Sequence, residues 1–260
     1  MDSKLINKIY QLLTQNERMM PSQINKELSH IASRREVSQT IKQLVCLDRL
    51  VCTNELGTTF VRLSSNNALK VSDRIVVIPA NKSFEDSQSI VIKLSSGNAF
   101  GNGQHPTTCL SLQLLDTLLC NIQTDSIQAA LDIGTGTGIL AIAAAKLGIK
   151  TVLATDRDPV AVFEARTNSA INQLKSQITV IQSERFPDDS FHLIMANLRL
   201  PTLISLIKKI QYHIATPGYL VCSGYTSDEM NVLLPEFENK KFHCLKHQIL
   251  GRWAGGIFSQ

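Results

Sequence analysis

Residues 131–138 read Leu-Asp-Ile-Gly-Thr-Gly-Thr-Gly and run straight into the Ala-rich stretch 139–147. An apolar strand that turns through three alternating glycines into a buried helix leaves the chain little choice of architecture. The glycines permit backbone conformations closed to other residues and let a ligand approach the main chain closely. The alternation continues on both sides. Helical patterns at 107–120, 160–172, 200–213 and 228–238 are interleaved with apolar strand patterns at 151–154, 178–181, 191–196 and 219–223. Strand-helix alternation of this kind demands a parallel sheet covered by helices on both faces. Two closing strands, 242–250 and 253–258, are joined too tightly for a crossover, so they are expected to be antiparallel and to complete a seven-stranded, Rossmann-like α/β sheet.

The first quarter of the chain has a different texture. Leu5, Ile6, Ile9, Leu12 and Leu13 recur at helical spacing, and Pro21 opens a second helix through Ile24 and Leu28. Ser33-Arg34-Arg35-Glu36 has the spacing of a capping box ahead of a third helix that carries Val37, Ile41, Leu44 and Val45. Residues 50–53 and 58–63, with a turn at 54–57, read as a hairpin. Three short helices and a hairpin resemble a winged helix. We therefore expect a small winged-helix-like recognition module at residues 1–66 and a larger domain at 67–260. The polar run 64–67 serves as linker, and residues 67–106 supply two lead-in strands (74–79 and 89–94) and a glycine-rich loop.

Composition narrows the class. A chain of 260 residues with 43% hydrophobic content can bury a sizeable core. No apolar run approaches the roughly 20 residues of a bilayer span, and the N-terminus lacks the apolar block of a secretory signal, so a cytoplasmic protein starting at Met1 is expected. The six cysteines form no Cys-x-x-Cys pair and are expected to be buried free thiols. The histidines show no metal-ligand spacing, and no metal is assigned. Residues 1–66 hold nine Lys or Arg against six Asp or Glu, most of the net charge of +4, which permits an acidic partner.

The residues around the glycine turn separate three kinds of nucleotide site. A phosphate-cradling Walker loop needs Gly-Lys-Ser/Thr, but Ile139-Leu140 follow Gly138. The dinucleotide fingerprint is Gly-x-Gly-x-x-Gly, whereas Gly134, Gly136 and Gly138 alternate and Asp132 stands two residues before the first of them. An acid there repels a pyrophosphate and suits a ligand with ammonium and sulfonium charges, as S-adenosylmethionine has. A second acid, Asp156, ends the next strand 18 residues after Gly138 and can accept hydrogen bonds from both ribose hydroxyls. Asp158 is read as the N-cap of the following helix, with Pro159 in its first turn. Glu184, just after the third core strand, is placed to meet an adenine edge or else is a solvated surface acid. Trp253 sits on a predicted strand and is assigned to the core.

Three segments closely resemble the catalytic domain of the PrmA family of ribosomal protein methyltransferases: 99–108 (Ala-Phe-Gly-Asn-Gly-Gln-His-Pro-Thr-Thr), 132–148, and Ala196-Asn197-Leu198. The resemblance runs from about Arg74 to the C-terminus. Where the family's loop carries Thr, this chain has Asn102. The resemblance implies that the loop closes over the cofactor, with Phe100, Gly101 and Thr107 as contacts, and that Asn197 faces the transferred methyl group. The proline-aromatic pair found after this Asn in many amino-group methyltransferases is replaced by Arg199-Leu200. Asn197 could orient a neutral amine or cap the next helix, and His105 could be a general base or a hydrogen bond partner that fixes the loop.

The reading is thus an S-adenosylmethionine-dependent N-methyltransferase, releasing S-adenosylhomocysteine and acting on amino groups of a protein, with a ribosomal protein as one candidate. The family holds its substrate with an N-terminal domain of another fold, so the partner of residues 1–66 stays open. A nucleic-acid-modifying or regulatory protein, with Arg34, Arg35 and Lys42 on phosphates, an inactive interaction protein and a small-molecule methyltransferase are the competing classes.

Overall fold

The computed structural model describes every residue except 1, 2, 17, 48, 56, 65–67, 123–125, 185 and 187. Helix α1 (Ser3–Asn16), strand β1 (Arg18–Met19), helices α2 (Pro21–Glu27) and α3 (Arg34–Cys46) and strands β2 (Leu50–Glu55) and β3 (Thr58–Leu63) make up the N-terminal part. The expected capping box is formed: the Ser33 hydroxyl accepts from the Glu36 amide while the Ser33 amide donates to the Glu36 carboxylate at 2.8 Å. Beyond the expected hairpin, β1 pairs with β3 to give a three-stranded antiparallel sheet ordered β1-β3-β2. Leu5, Ile9, Leu13, Ile24, Val37, Ile41, Leu44 and Val61 bury a core of their own between helices and sheet. Of the expected linker, Ser64 is buried and its amide donates to the Arg49 carbonyl, and residues 65–67, with the domain boundary, lie outside the described residues.

Strands β4 (Leu69–Lys70), β5 (Ile75–Pro79) and β6 (Ile90–Leu94) follow, then helix α4 (Pro106–Asn121), β7 (Ala129–Ile133), α5 (Ile139–Lys146), β8 (Thr151–Asp156), α6 (Pro159–Ile171) and β9 (Ile178–Gln182). The chain closes with β10 (Phe191–Asn197), α7 (Leu200–His213), β11 (Ile214–Thr226), α8 (Met230–Glu238), β12 (His243–Leu250) and β13 (Trp253–Ser259). The lead-in strands form a separate small sheet, β4-β5-β6, in which β5 and β6 run parallel.

The seven core strands lie in the order β12-β13-β11-β10-β7-β8-β9. Pairing is parallel from β11 to β9 and antiparallel at β13 and β12, as the tight final connection requires. The chain leaves β7 in one direction to β8 and β9, then returns to place β10 on its other side. This is a topological switch point, and the crevice beyond the carboxyl ends of β7 and β10 is where open α/β sheets bind ligands. Register sets the pair: Ala196 lies opposite Ile133, so Asn197 and Gly134 leave adjacent strand ends together. Helix α5 is buried from Ile139 through Ala145, an all-round apolar helix suited to a position between the sheet and its neighbours.

One expectation is corrected here. All six cysteines are free, but only Cys109 and Cys222 are buried. Cys46 and Cys120 fall on the solvent sides of the last turns of α3 and α4, Cys52 alternates outward along β2, and Cys244 lies on the edge strand β12. An apolar neighbourhood in sequence does not decide which face of an element a residue takes.

Candidate cofactor and acceptor site

The turn after β7 is built by backbone bonds to the next strand. The amides of Gly134 and Thr135 both donate to the Thr155 carbonyl, at 2.8 and 2.9 Å. Gly136 has φ of +55°, and a Cβ there would sit 2.2 Å from the Phe100 carbonyl oxygen, so the turn is shaped for segment 97–101 to lie against it. The Thr137 amide donates to that Phe100 carbonyl at 2.9 Å and the Thr137 hydroxyl to the Gly101 carbonyl at 2.7 Å. Gly138 packs against Ala165 of α6, where a Cβ would come within 3.2 Å.

The turn, β8, the covering segment and the ends of β10 and β11 enclose a cleft of about 680 Å³. Seven of the ten residues expected at the site line it: Phe100, Thr107, Gly134, Gly136, Asp156, Glu184 and Asn197. Gly101, Asp132 and Gly138 do not. Gly101 and Gly138 shape the wall and the helix start, and the Asp132 carboxylate points into the protein. It accepts from the Thr135 hydroxyl at 2.6 Å and from the Ala141 amide at 3.2 Å, and it is 1% exposed. Burial pushes its pKa up to about 6, opposed by the Thr135 and Ala141 hydrogen bonds and assisted by the nearby Asp156 charge.

That placement separates the possible ligands more sharply than the glycine spacing does. A phosphate at a strand-turn-helix junction is held by the free amides at the helix N-terminus. Here the first-turn amide of Ala141 is taken by the protein's own carboxylate, and the Thr137 amide is taken by the Phe100 carbonyl. The cleft wall carries three acids (Asp156, Asp158, Glu184) and two arginines (Arg157, Arg199). Such a site fits a nucleoside carrying positive charge and does not fit a pyrophosphate. The Asp156 carboxylate ends β8 with one oxygen accepting from the Gly136 amide and the other from the Asp158 amide, each at 3.0 Å. Each oxygen keeps a lone pair for the ribose hydroxyls. Asp158 caps α6 through the Val160 amide at 2.9 Å, and Ala161, one turn on, lines the cleft beside it.

The other end of the cleft is organised by Asn197. Its Oδ1 accepts from the Ser223 hydroxyl at 3.0 Å and its Nδ2 lies 3.4 Å from the Thr108 hydroxyl. Ser223, directly across from Asn197 in the β10–β11 register, also contacts the Ser111 hydroxyl and the Thr107 carbonyl. The amide of Asn197 is thus held by both ends while facing the cleft. It does not cap the next helix, whose N-cap is Arg199. Leu198 fits only because Gly134 and Gly224 lack side chains: a Cβ at Gly134 would meet Leu198 Cδ2 at 2.7 Å, and one at Gly224 would meet the Leu198 backbone at 2.4 Å.

His105 is the N-cap of α4, with its Nδ1 3.2 Å from the Thr107 amide and 2.7 Å from the Thr107 hydroxyl. Its ring lies between Phe100 and Trp253, with centroids 5.0 and 5.1 Å away. Trp253 therefore lines the cleft and is not a core residue, because the antiparallel strand β13 begins at Trp253 on the cleft side of the sheet. Sequence reading missed Trp253 and Gly224. For the latter the available signal was a glycine directly after the expected strand 219–223.

A seven-stranded sheet of this order, with an acid ending β8 and a glycine turn whose Thr137 and Ala141 amides are already taken within the protein, is that of an S-adenosylmethionine-dependent methyltransferase of the Rossmann-like class. A family model described as "Ribosomal protein L11 methyltransferase (PrmA)" matches residues 63–259. The chain belongs to that family. A ribosomal protein L11 methyltransferase of Lacticaseibacillus paracasei is 33% identical over 190 residues, 72% of this chain and 58% of the relative. One from Listeria monocytogenes is 31% identical over 237 residues, 85% of this chain and 73% of the relative. The crystal structure of a ribosomal protein L11 methylase from Lactobacillus delbrueckii subsp. bulgaricus superposes with a TM-score of 0.67 at 29% identity, covering 74% of this chain and 98% of that one. Among the described residues no helix is long and apolar enough to cross a membrane.

Proposed function

We propose that this chain transfers methyl groups from S-adenosylmethionine to amino groups of a protein, with a ribosomal protein as the substrate and the cytoplasm, where ribosomes work, as its location. One observation carries the reading: a single cleft has a strand-end carboxylate, Asp156, at one end and an amide held by both its ends, Asn197, at the other. When bound, the cofactor supplies a methyl group already activated on a sulfonium, so the protein's task is alignment. Asp156 holds the ribose, Glu184 meets the adenine edge, Gly134 and Gly136 admit the ligand to the backbone, and Phe100 covers it. Asn197 orients the acceptor nitrogen through the free lone pair of Oδ1.

The acceptor amine must be neutral to attack. Taking an unperturbed lysine from a pKa of about 10.4 to neutrality at pH 7 costs roughly 4 to 5 kcal/mol. Desolvation lowers that cost, and Leu198, Phe100 and Trp253 supply apolar walls around Asn197 for it. The test is incubation with methyl-labelled cofactor and an extract from cells lacking the protein. Label in a ribosomal protein, L11 being the first to examine, supports the reading. Label confined to RNA, DNA or metabolites removes it.

A second reading concerns the partner of residues 1–66. Arg34 and Arg35 occupy the first turn of α3, where the helix dipole disfavours cations, and the one acid there, Glu36, is committed to the cap. With Gln39 and Lys42 they are exposed, and they form no ion pair among the described residues. A winged-helix-like module with such a face suits an anionic partner, including nucleic-acid phosphates. Binding to duplex or ribosomal RNA that weakens steeply with salt would support this, and no binding at low salt would end it.

A further inference from the structure

Segment 93–99, which leads from β6 into the cleft wall, is held by side chains of α6 and of its C-cap residue Asn172 in place of a neighbouring strand. Asn172 Oδ1 accepts from the Lys93 amide at 3.0 Å and its Nδ2 donates to the Lys93 carbonyl at 2.7 Å. One turn back, Asn168 Oδ1 accepts from the Ser95 amide and hydroxyl, both at 2.8 Å, while its Nδ2 donates to the Thr137 carbonyl at 2.9 Å. One further turn back, Glu164 Oε1 accepts from the Asn98 amide at 2.7 Å and the Ala99 amide at 3.1 Å, with Oε2 also 3.1 Å from the latter. Four residues of helix rise about 6 Å and two residues of extended chain span about 6.7 Å, so Asn172 and Asn168 match Lys93 and Ser95, and the bend at 98–100 brings Asn98 and Ala99 onto Glu164 one turn further back.

Glu164 is the member of this row nearest the cleft, since Asn98, Ala99 and Phe100 line it. Glu164 is 9% exposed, and its carboxylate lies flat against Gly97, where any Cβ would collide with it at 2.2 Å. On the far side of the wall, Thr137 of the glycine turn holds the Phe100 and Gly101 carbonyls. Glu164 alone in the row contributes a charged acceptor, and hydrogen bonds to ionised groups are the stronger kind.

We propose that Glu164 is a positioning residue that latches the 97–101 wall shut over the cofactor and thereby sets how long the cofactor stays. The inference rests on the cofactor reading above. Trp253 is the only tryptophan in the chain and packs on His105, whose ring also meets Phe100, so its fluorescence reports on this wall through His105. Stopped-flow fluorescence and calorimetry with S-adenosylhomocysteine would compare the full chain with Glu164→Ala, Glu164→Gln and Asn172→Ala. The last variant removes three hydrogen bonds, two to Lys93 and one to the Asn168 carbonyl, at the end of the row remote from the cleft.

Glu164→Ala is expected to raise the dissociation constant about tenfold to a hundredfold, almost entirely through a faster off-rate, and Glu164→Gln by less than about tenfold. Asn172→Ala is expected to lower the melting temperature while leaving the off-rate within about twofold. Should the alanine variant not fold, the Gln variant carries the test through its off-rate and faster hydrogen exchange at the Asn98 and Ala99 amides. Wild-type off-rates in both Glu164 variants, or equal acceleration in Asn172→Ala, would overturn the latch while the cofactor reading stands. A full chain indifferent to S-adenosylhomocysteine would overturn both.

Discussion

The Asp156 carboxylate accepts a hydrogen bond from the Gly136 amide at 3.0 Å, tying the end of β8 to the middle of the glycine turn after β7. The same group that is placed to hold a ribose thus also fixes the loop against which the ligand lies. Asp156→Ala should weaken S-adenosylhomocysteine binding by about 1 to 3 kcal/mol, roughly fivefold to 150-fold, by calorimetry. Unchanged affinity would remove Asp156 from the site.

Gly136→Ala should be far more damaging than an exposed glycine substitution. The added methyl would sit 2.2 Å from the Phe100 carbonyl, and the backbone φ of +55° is itself unfavourable for alanine. The wall must move outward, so loss of cofactor affinity together with a lower melting temperature is expected. Gly57→Ala serves as the comparison: its φ of +80° costs strain too, but a Cβ there meets nothing within 4 Å, and cofactor affinity should be unaffected.

Asp132 makes stability depend on pH in a direction opposite to most carboxylates. Burial raises its pKa from 3.8 to about 6, so between those values the folded state holds a proton that the unfolded state has lost. Its contribution is therefore most favourable below about pH 4, declines as pH rises to about 6, and is flat above that, by on the order of 3 kcal/mol in total. Denaturant midpoints of the wild type relative to Asp132→Asn should show this declining difference between pH 4 and 6. A difference that grows across the same window would mean that Asp132 is stabilised as an anion.

Ser223→Ala leaves Asn197 Oδ1 without its donor and the Ser111 hydroxyl without its partner. If the Asn197 amide must be oriented for transfer, methylation turnover should fall by about tenfold or more with cofactor affinity unchanged. An equal drop in both would indicate general damage to the sheet end and not loss of orientation.

The order and type of the core elements were legible because each is written in a local period: alternating or continuous apolar residues for β7 to β11, helical spacing between them, and glycines where the chain must turn. The strand-end position of Asp156, the capping roles of Ser33 and Asp158, and the antiparallel closing pair follow from the same local rules. What remained hidden depends on the direction a side chain takes after the chain has folded. Asp132 read as a ligand because it stands beside the glycines, yet its strand register aims it at the helix N-terminus. Trp253 read as core because strands are usually buried, yet its strand opens on the cleft.

Sequence alone determined that a doubly covered parallel sheet would form with a glycine turn and an acid at neighbouring strand ends, since backbone conformation and burial pattern are properties of short segments. Tertiary structure alone decided that Ser223 would hold Asn197, that Glu164 would hold the wall, and that Asp132 would turn inward to the Ala141 amide. Those pairs are separated by 26, 65 to 66 and 9 residues, and the 3 Å geometry of a hydrogen bond is set by sheet order and helix placement that no local pattern encodes.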